Sequence, residues 1–352
     1  MAYTTINKST AHFNTKLYTG NASTQAITGV GFQPDLVWIK NRSTNNSHVW
    51  TDAVRGADKT IYSNSTDAQG TGATNIGSFD SDGFTLGSNG GTNGSGNNVA
   101  SWNWKANGQG SSNTDGSINT TYTSANTTAG FSIISYTGAG GTSNTLGHGL
   151  GVKPKMFIVK CLSHAGEYWG TWIDTDGDGT SNHRLSLNTD DAAYGNDPIT
   201  FSNSTITLPS SANTQWDGSG RTYIGYCFAE KTGFSKFGSY TANANANGTF
   251  TYTGFKPKFV IIKRSSGTGN WVIQDDKRSS IGGPNPNDKW LYANASDAEY
   301  NASAYPLDLL SNGFKIRHGN GSYQNEPNGA TYIYLAFGQS LVGSNNIPCT
   351  AR

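Results

Sequence analysis

Three stretches of the sequence share one pattern and decide the fold: residues 31–40 (GFQPDLVWIK), 151–160 (GVKPKMFIVK) and 254–263 (GFKPKFVIIK). In each, a proline is followed by one spacer residue, four apolar residues and a lysine. A proline at the start of a strand removes no ladder hydrogen bond. A short, continuous run of β-branched and aromatic residues is typical of a strand buried on both faces. The sequence therefore predicts the same buried strand three times.

The surrounding sequence repeats in the same order. Upstream of each run lies an aromatic stretch, and downstream lie an alternating stretch and a closing aromatic stretch, as in residues 13–20, 79–86 and 99–104 of the first copy. The three prolines are 120 and 103 residues apart (positions 34, 154 and 257), which are intervals of domain size. Alternating strands with Gly/Asn turns predict an all-β chain of three tandem antiparallel β-sandwiches, jelly-roll or lectin-like. A closed β-barrel is the alternative.

Composition places the boundaries between the copies. We expect β-sandwich repeats at residues 1–106, 129–230 and 231–338, which are called the first, second and third repeats below. Residues 107–128 contain few large apolar side chains and many Gly, Ser, Asn and Thr, which indicates a linker. Residues 339–352 follow the last repeat as a C-terminal tail.

Charge and hydropathy exclude several classes of protein. The 24 Lys+Arg balance 23 Asp+Glu, whereas a nucleic-acid-binding surface needs an excess of cations. No apolar run approaches the roughly 18–20 residues of a membrane span. The N-terminus carries neither a basic start nor an apolar segment, so no secretory signal is expected. Cys161, Cys227 and Cys349 share no spacing and are expected to be free thiols, with a Cys161–Cys227 bridge as the alternative.

One acidic segment has the spacing of a calcium loop. Asp174, Asp176 and Asp178 alternate with other residues and are followed by a glycine. A tight turn can bring such side chains to one hard cation. The twelfth position, where a helix-loop-helix calcium site has glutamate, holds Leu185. The alternative is an acidic surface turn.

No catalytic residue and no cofactor other than this calcium candidate are assigned. The chain has four glutamates, and Glu167 is the best single candidate for an acid that contacts sugar, but it lacks the second carboxyl that glycoside hydrolysis needs. His148 is expected in a surface loop. The aromatic residues Trp216 and Tyr323 lie in predicted turns and are candidates for contacting a surface glycan. The lysines that end the three apolar runs are expected to reach solvent.

Several of these segments resemble repeat modules of tailed-bacteriophage virion proteins, above all those of marine and cyanobacterial phages. The resemblance is carried by residues 18–20 (YTG), 29–42 (GVGFQPDLVWIKNR), 147–155 (GHGLGVKPK), 226–230 (YCFAE) and 237–241 (FGSYT). It covers roughly residues 13–338. Such proteins are regarded as tail-fibre or other surface components, and no catalytic or binding residues come with the resemblance.

The resemblance implies a non-enzymatic virion protein, made in the host cytoplasm, that contacts the host surface as a tail-fibre or receptor-binding component. The alternative is a capsid-surface decoration or head-fibre protein, and a glycan-degrading spike is a more distant one. The expected partners are other virion proteins and a host surface glycan or protein, without nucleic acid or a membrane span. Because phage appendages commonly use three-fold symmetry, a homo-oligomer, a trimer in particular, is expected.

Overall fold

The computed structural model describes residues 4–209, 213–280, 283, 285–319, 324–340 and 342. Apart from a 3₁₀ turn at Ser9–Ala11 and two four-residue helices, α1 (Gly90–Asn93) and α2 (Thr214–Asp217), the regular elements of these residues are strands. The all-β, sandwich-type fold class predicted from the sequence is confirmed.

The first repeat forms a six-stranded and a three-stranded sheet. The larger sheet contains, in spatial order, β1 (Phe13–Thr19), β9 (Asn98–Trp104), β3 (Leu36–Asn41), β4 (Val49–Asp52), β5 (Lys59–Tyr62) and β6 (Gly70–Thr71). The smaller sheet contains β2 (Gln25–Thr28), β8 (Gly83–Leu86) and β7 (Ile76–Asp80).

The second repeat joins the corresponding strands into one ten-stranded sheet. Its order is β10 (Ser111–Asn113), β11 (Thr120–Asn126), β12 (Phe131–Thr137), β19 (Thr222–Phe228), β14 (Met156–Cys161), β15 (Gly170–Ile173), β16 (Thr180–Ser186), β17 (Tyr194–Phe201), β18 (Thr205–Thr207) and β13 (Thr145–Gly147). The long strand β17 pairs with β16 through one part and with β18 through the other, which connects the two layers.

The third repeat returns to two separate sheets. The six-stranded sheet contains β20 (Ser235–Thr241), β28 (Thr331–Gln339), β22 (Lys256–Arg264), β23 (Val272–Asp275), β24 (Lys289–Tyr292) and β25 (Tyr300–Asn301). The three-stranded sheet contains β21 (Phe250–Tyr252), β27 (Gly313–Ile316) and β26 (Leu307–Leu310). Its strand order is that of the first repeat.

The strand registers establish which positions of the three repeats are equivalent. Leu36, Met156 and Phe259 lie two residues after the proline of the shared pattern in each repeat and pair with Trp104, Phe228 and Phe337 of the closing strand. Across the other neighbouring strand they pair with Asp52, Ile173 and Asp275. Each group of three therefore occupies one position of the shared topology.

The strands that follow the prolines are buried on both faces, as their unbroken apolar runs predict. In β3, Val37 packs into the core between the two sheets of its own repeat, whereas Trp38 faces the opposite side. The same alternation places Phe157 in the second repeat's own core and Ile158 on the opposite face.

That opposite face belongs to a core that all three repeats share. One cluster of buried residues includes Trp102 of the first repeat, Phe228 of the second and Phe259 of the third. The ring centroids of Trp102 and Phe259 lie 5.6 Å apart, and those of Phe228 and Phe337 lie 5.9 Å apart. The larger sheets thus pack their inner faces against one another around a central aromatic core.

Repeated backbone hydrogen bonds close the three repeats into a ring. The backbone N–H groups of Gln69, Ala193 and Glu299 occupy one equivalent position. Each donates at 2.9 Å to a carbonyl of a neighbouring repeat, in the order Leu162, Ser265 and Arg42. The first repeat therefore bonds to the second, the second to the third and the third back to the first.

The segment expected to be a linker contains two strands, which corrects that expectation for residues 107–128. β10 and β11 extend the second repeat's sheet, because β11 pairs with β12 from Tyr122↔Ser135 to Asn126↔Phe131. Thr120, Thr123 and Ser124 are buried there, so small polar β-formers fill positions that the sequence pattern assigns to apolar residues. The outer boundaries of the repeats stay predictions, and of the tail only Gln339, Ser340 and Val342 are described.

Two further expectations concern the thiols and the membrane. Cys161 and Cys227 are buried free thiols, so the alternative bridge between them is not formed, while Cys349 lies outside the described residues. Among the described helices, none has the length and hydropathy needed to span a bilayer.

Candidate functional site

The aspartates of the calcium candidate lie together in the loop between β15 and β16. One carboxylate oxygen from each of Asp174, Asp176 and Asp178 lies within 4.8 Å of the others. Asp174 is buried, whereas Asp176 and Asp178 are exposed. The predicted spacing therefore does bring three oxygens to one place.

The protein itself supplies partners for these carboxylates. Asp174 accepts hydrogen bonds from the Lys155 ammonium at 3.0 Å and from the backbone N–H groups of Gly177 at 2.7 Å and Gly179 at 3.1 Å. Asp178 accepts from the N–H and hydroxyl of Thr180, and these bonds lower the pKa of its carboxyl. The loop is thus held by its own hydrogen bonds, and calcium binding stays a prediction.

Of the two aromatic residues predicted to contact a glycan, only Trp216 lies among the described residues. Trp216 lies on α2 and is fully buried against Trp172, with the Arg184 guanidinium 5.4 Å from its ring centroid. The expectation that it is a surface residue was wrong, because a turn-like sequence here forms a short capped helix that turns the indole inward. Tyr323 lies outside the described residues.

The recurrent lysines are buried, which corrects the expectation that they reach solvent. Lys40, Lys160 and Lys263 have no exposed surface, and desolvation lowers the pKa of each from 10.5 to about 8. Each ammonium donates to a backbone carbonyl of another repeat, in the pairs Lys40 to Ser296 (2.9 Å), Lys160 to Thr66 (3.4 Å) and Lys263 to Asp190 (3.2 Å). These lysines connect the ring.

The carbonyls that receive these lysines belong to a motif that the sequence reasoning missed. An Asn-x-x-Asp-Ala segment occurs at residues 64–68, 188–192 and 294–298. Its asparagine side chain accepts the backbone N–H of His48, Trp169 or Trp271, and its third residue offers the carbonyl to the lysine. A search for short polar repeats, rather than apolar ones, would have found it.

A cleft of about 480 Å³ opens between the second and third repeats. The second repeat lines it with Ile173, Thr175, Asp176, Thr180, Ser181, His183, Leu185 and Ala193. The third repeat lines it with Ser239, Ser265, Ser266, Thr331 and Ile333. The wall is therefore rich in hydroxyl groups, and Asp176 of the calcium candidate lies at this site.

The sugar-contact candidate Glu167 and the polar side chains Ser181 and His183 of the cleft are engaged in structural contacts. Glu167 forms an ion pair with Arg221. Ser181 and His183 both line the cleft, but the Ser181 hydroxyl donates to the His183 backbone carbonyl at 3.2 Å. Within the described part of the chain, no hydrogen bond joins a nucleophile to an imidazole base in this cleft, which is the arrangement that nucleophilic catalysis uses.

His148 is buried rather than exposed in a loop, which corrects that expectation. The backbone N–H of Leu150 donates to its Nδ1 at 3.2 Å, and its Nε2 lies 3.3 Å from the Ser202 carbonyl. Burial lowers the pKa of this imidazole from 6.5 to about 4, so the neutral ring is the form that the fold accommodates.

A pair of exposed aromatic side chains lies on the outer face of the third repeat. Phe250 and Tyr252 are 43% and 58% exposed on β21, at the edge of the three-stranded sheet, while Thr251 between them is buried. A Cβ at Gly313 would lie 3.0 Å from the Phe250 ring, so the glycine lets this ring lie close against β27. The equivalent positions are Ala26 and Thr28 in the first repeat, since both strands pair with the same glycine-led strand.

Comparison with known proteins adds one match. A family model described as "Domain of unknown function (DUF7483)" matches residues 8–340. The match spans all three repeats and therefore treats the ring as one unit. No curated protein and no solved structure matches the chain.

Proposed function

The chain belongs to the DUF7483 family, and from that premise we propose that it is a non-enzymatic, surface-exposed bacteriophage virion protein that contacts the host as a tail-fibre component. The virion setting is supported by the resemblance of residues 13–338 to phage repeat modules. The near-neutral charge is in keeping with a protein that displays surface and does not bind nucleic acid.

The observation that carries the binding role is the aromatic pair Phe250 and Tyr252. Exposed large aromatic side chains that share one strand face form a flat apolar platform, and such patches mark interaction sites. The flat apolar face of a sugar ring can stack on such a platform, which suits a host surface glycan. The first repeat has Ala26 and Thr28 at these positions, so the platform is a property of the third repeat.

The ring supports a display role because it holds this platform on a rigid base. β21 belongs to a sheet whose buried residues pack against β22, and β22 in turn contributes Phe259 to the central core. A binding surface supported by packed strands loses little conformational entropy when it binds. We propose that the ring presents the platform to the host, and that other virion proteins hold the ring.

Cell binding tests the proposed contact. We expect fluorescently labelled protein to bind host cells, and the double variant Phe250→Ala/Tyr252→Ala to lose most of this binding. The matched control is the variant Ala26→Phe/Thr28→Tyr, which places the same aromatic pair at the equivalent positions of the first repeat. If this variant folds, an exposed aromatic pair is tolerated at this position of the sheet. Equal binding of the wild type and the Phe250/Tyr252 variant would rule out the platform.

The position on the virion separates the proposal from its alternatives. Gold-labelled antibodies against the chain should mark the tail tip of virions. Labelling over the head would instead favour a capsid decoration or head fibre, and release of reducing sugars from a host polysaccharide would favour the glycan-degrading spike. Purified virions without this chain would overturn the virion proposal altogether.

A further inference from the structure

We infer that the cleft between the second and third repeats is a binding site for a guanidinium group, presented by an arginine side chain of a partner protein. The inference comes from comparing the three boundaries of the ring with one another. It does not depend on the proposed virion role.

At the boundary between the first and second repeats, the equivalent volume is filled by an arginine. Arg55 follows Asp52 by three residues, and its side chain is 4% exposed, with its Nε 2.6 Å from the Asp52 carboxylate. It also donates to the side chain of Gln69 at 3.3 Å. Tyr226 of the second repeat donates to the same carboxylate at 2.8 Å, so the guanidinium lies where two repeats meet.

The boundary between the third and first repeats has the same arrangement. Arg278 follows Asp275 by three residues, is fully buried, and pairs with Asp275 at 2.6 Å and with Glu299 at 2.9 Å. Its guanidinium carbon lies 5.5 Å from the ring centroid of Trp102 in the first repeat. Two of the three boundaries therefore bind a guanidinium at this position.

The boundary between the second and third repeats lacks each of these groups. By strand register, Ile173 replaces the aspartate, and three residues later Asp176 replaces the arginine. By the ring-closing hydrogen bond, Ala193 replaces Gln69 and Glu299. Ile173, Asp176 and Ala193 all line the cleft, so the open volume arises where the arginine and its partner are missing.

The cleft carries a negative charge, opposite in sign to the arginine that fills the other two boundaries. Asp176 is the only Asp, Glu, Lys or Arg among the described residues that line it. Within the described ion pairs of the chain, Asp176 has no partner. Its carboxylate accepts one hydrogen bond, from the backbone N–H of Asp178 at 3.4 Å, so an arriving cation would find an exposed carboxylate with further acceptor capacity.

The lining favours a guanidinium over an ammonium. A guanidinium carries five N–H donors in a plane and is weakly hydrated, whereas an ammonium is a compact, strongly hydrated charge. The hydroxyl oxygens of Ser181, Ser266 and Thr331 are spread over both walls and suit several donors at once. The chain itself uses arginine, not lysine, at the two equivalent positions.

A titration with small amides tests the site directly. We would follow backbone amide resonances of deuterated, ¹⁵N-labelled protein while adding Nα-acetyl-arginine amide. The controls are the citrulline amide, which keeps the shape without the charge, and the lysine amide, which keeps the charge without the plane. We expect saturable shifts at cleft residues with the arginine probe, and binding at least roughly tenfold weaker with each control, as expected for loss of a charge-assisted hydrogen bond.

Two variants connect the binding to this cleft. Asp176→Asn should weaken arginine binding about tenfold, whereas Asp115→Asn, which removes an exposed carboxylate in the segment before the second repeat, should leave it unchanged. Ala193→Gln introduces the amide that accepts from Arg55 at the first boundary, so it should bind the arginine probe at least as tightly as the wild type. Asp176 is exposed, so its replacement keeps the test valid even if the Ala193 variant fails to fold.

Three results would overturn the inference. One is an absence of saturable shifts with the arginine probe. Another is equal affinity for the arginine amide and either control amide. The third is unchanged arginine binding in Asp176→Asn.

Discussion

Lys40, Lys160 and Lys263 connect neighbouring repeats from buried positions. Each buried ammonium donates to backbone carbonyls in place of water. Removing the ammonium would leave those buried carbonyls without a donor, which lowers the stability of the fold. A lysine at the end of an apolar run has the same sequence pattern whether it reaches solvent or another repeat. The lysines are buried because a carbonyl of the Asn-x-x-Asp-Ala segment of another repeat lies within hydrogen-bond distance of each ammonium.

Replacing a buried lysine should destabilise the ring. In Lys160→Met, the carbonyls of Thr66, Cys161 and Glu167 lose their shared donor. We expect the free energy of unfolding in urea to fall by about 1–3 kcal/mol. Lys8→Met is the control, because Lys8 is exposed. Equal unfolding free energies for both variants and the wild type would show that Lys160 is merely tolerated.

Buried histidine predicts a loss of stability in acid. The pKa of His148 is about 4 in the folded state against 6.5 for the free side chain. Between these values the unfolded state binds more protons, so the contribution of the neutral ring is complete above pH 6.5 and is lost as the pH falls through 4.

The size of that effect can be measured by difference. We expect the wild type to lose about 2–3 kcal/mol more than His148→Gln between pH 6.5 and 4, as the pKa difference implies. His164→Gln, in an exposed loop, is the control. Parallel pH profiles for the wild type and His148→Gln, from urea unfolding at each pH, would contradict the assignment.

Among the strands, β4, β15 and β23 occupy one position of the shared topology, and the segment that follows them changes role between repeats. After β4 and β23, this segment places Arg55 and Arg278 at the boundary with the next repeat, where each pairs with the aspartate three residues before it. After β15 it turns outward as the loop of Asp174, Asp176 and Asp178. One topological position therefore provides a structural ion pair twice and an open acidic loop once.

The ion pair of Lys155 with Asp174 leads to a prediction about calcium. We expect the melting temperature of the wild type to be equal in calcium and in chelator, because Lys155 and two backbone N–H groups already bind Asp174. Lys155→Met should melt lower in chelator and recover partly with calcium, since an ion that binds only the folded state stabilises it.

Differential scanning calorimetry in both buffers measures this. Asp178→Asn in the Lys155→Met background is the control, because it should reduce the recovery. A chelator that lowers the melting temperature of the wild type itself would instead support the calcium site suggested by the sequence.

At the scale of the whole molecule, the shared aromatic core makes the three repeats dependent on one another. Phe259 of the third repeat lies 5.3 Å from Phe13 and 5.6 Å from Trp102 of the first, measured between ring centroids. The ring thus achieves within one chain a three-fold arrangement of the kind for which the sequence favoured a homotrimer. Self-association of the chain stays a prediction.

A core shared by all repeats predicts a single unfolding transition. Phe259→Ala should lower the free energy of unfolding by about 3–5 kcal/mol, and peptides from all three repeats should lose hydrogen-exchange protection together. Tyr252→Ala, whose side chain is exposed, is the control. Loss of protection confined to the third repeat would show instead that the repeats unfold independently.

Sequence patterns alone were enough to predict the all-β class, the threefold repetition and the buried strands. These follow from local periodicity: Val37, Phe157 and Ile261 lie in unbroken apolar runs, and such runs are buried wherever the strand lies. The sequence also brought Asp174, Asp176 and Asp178 together, because their spacing lies within one turn.

The contacts between the repeats, by contrast, depend on the packing of the whole chain. The burial of Trp216, the direction of Lys160 and the open cleft beside Asp176 each depend on elements that are distant in sequence. Ala193 and Ile173 look ordinary in the sequence, and the cleft that they line stands out only by comparison with the two boundaries of the ring that hold an arginine there. Contacts of this kind depend on how the three larger sheets pack around the central core, and this packing cannot be predicted from local residue patterns.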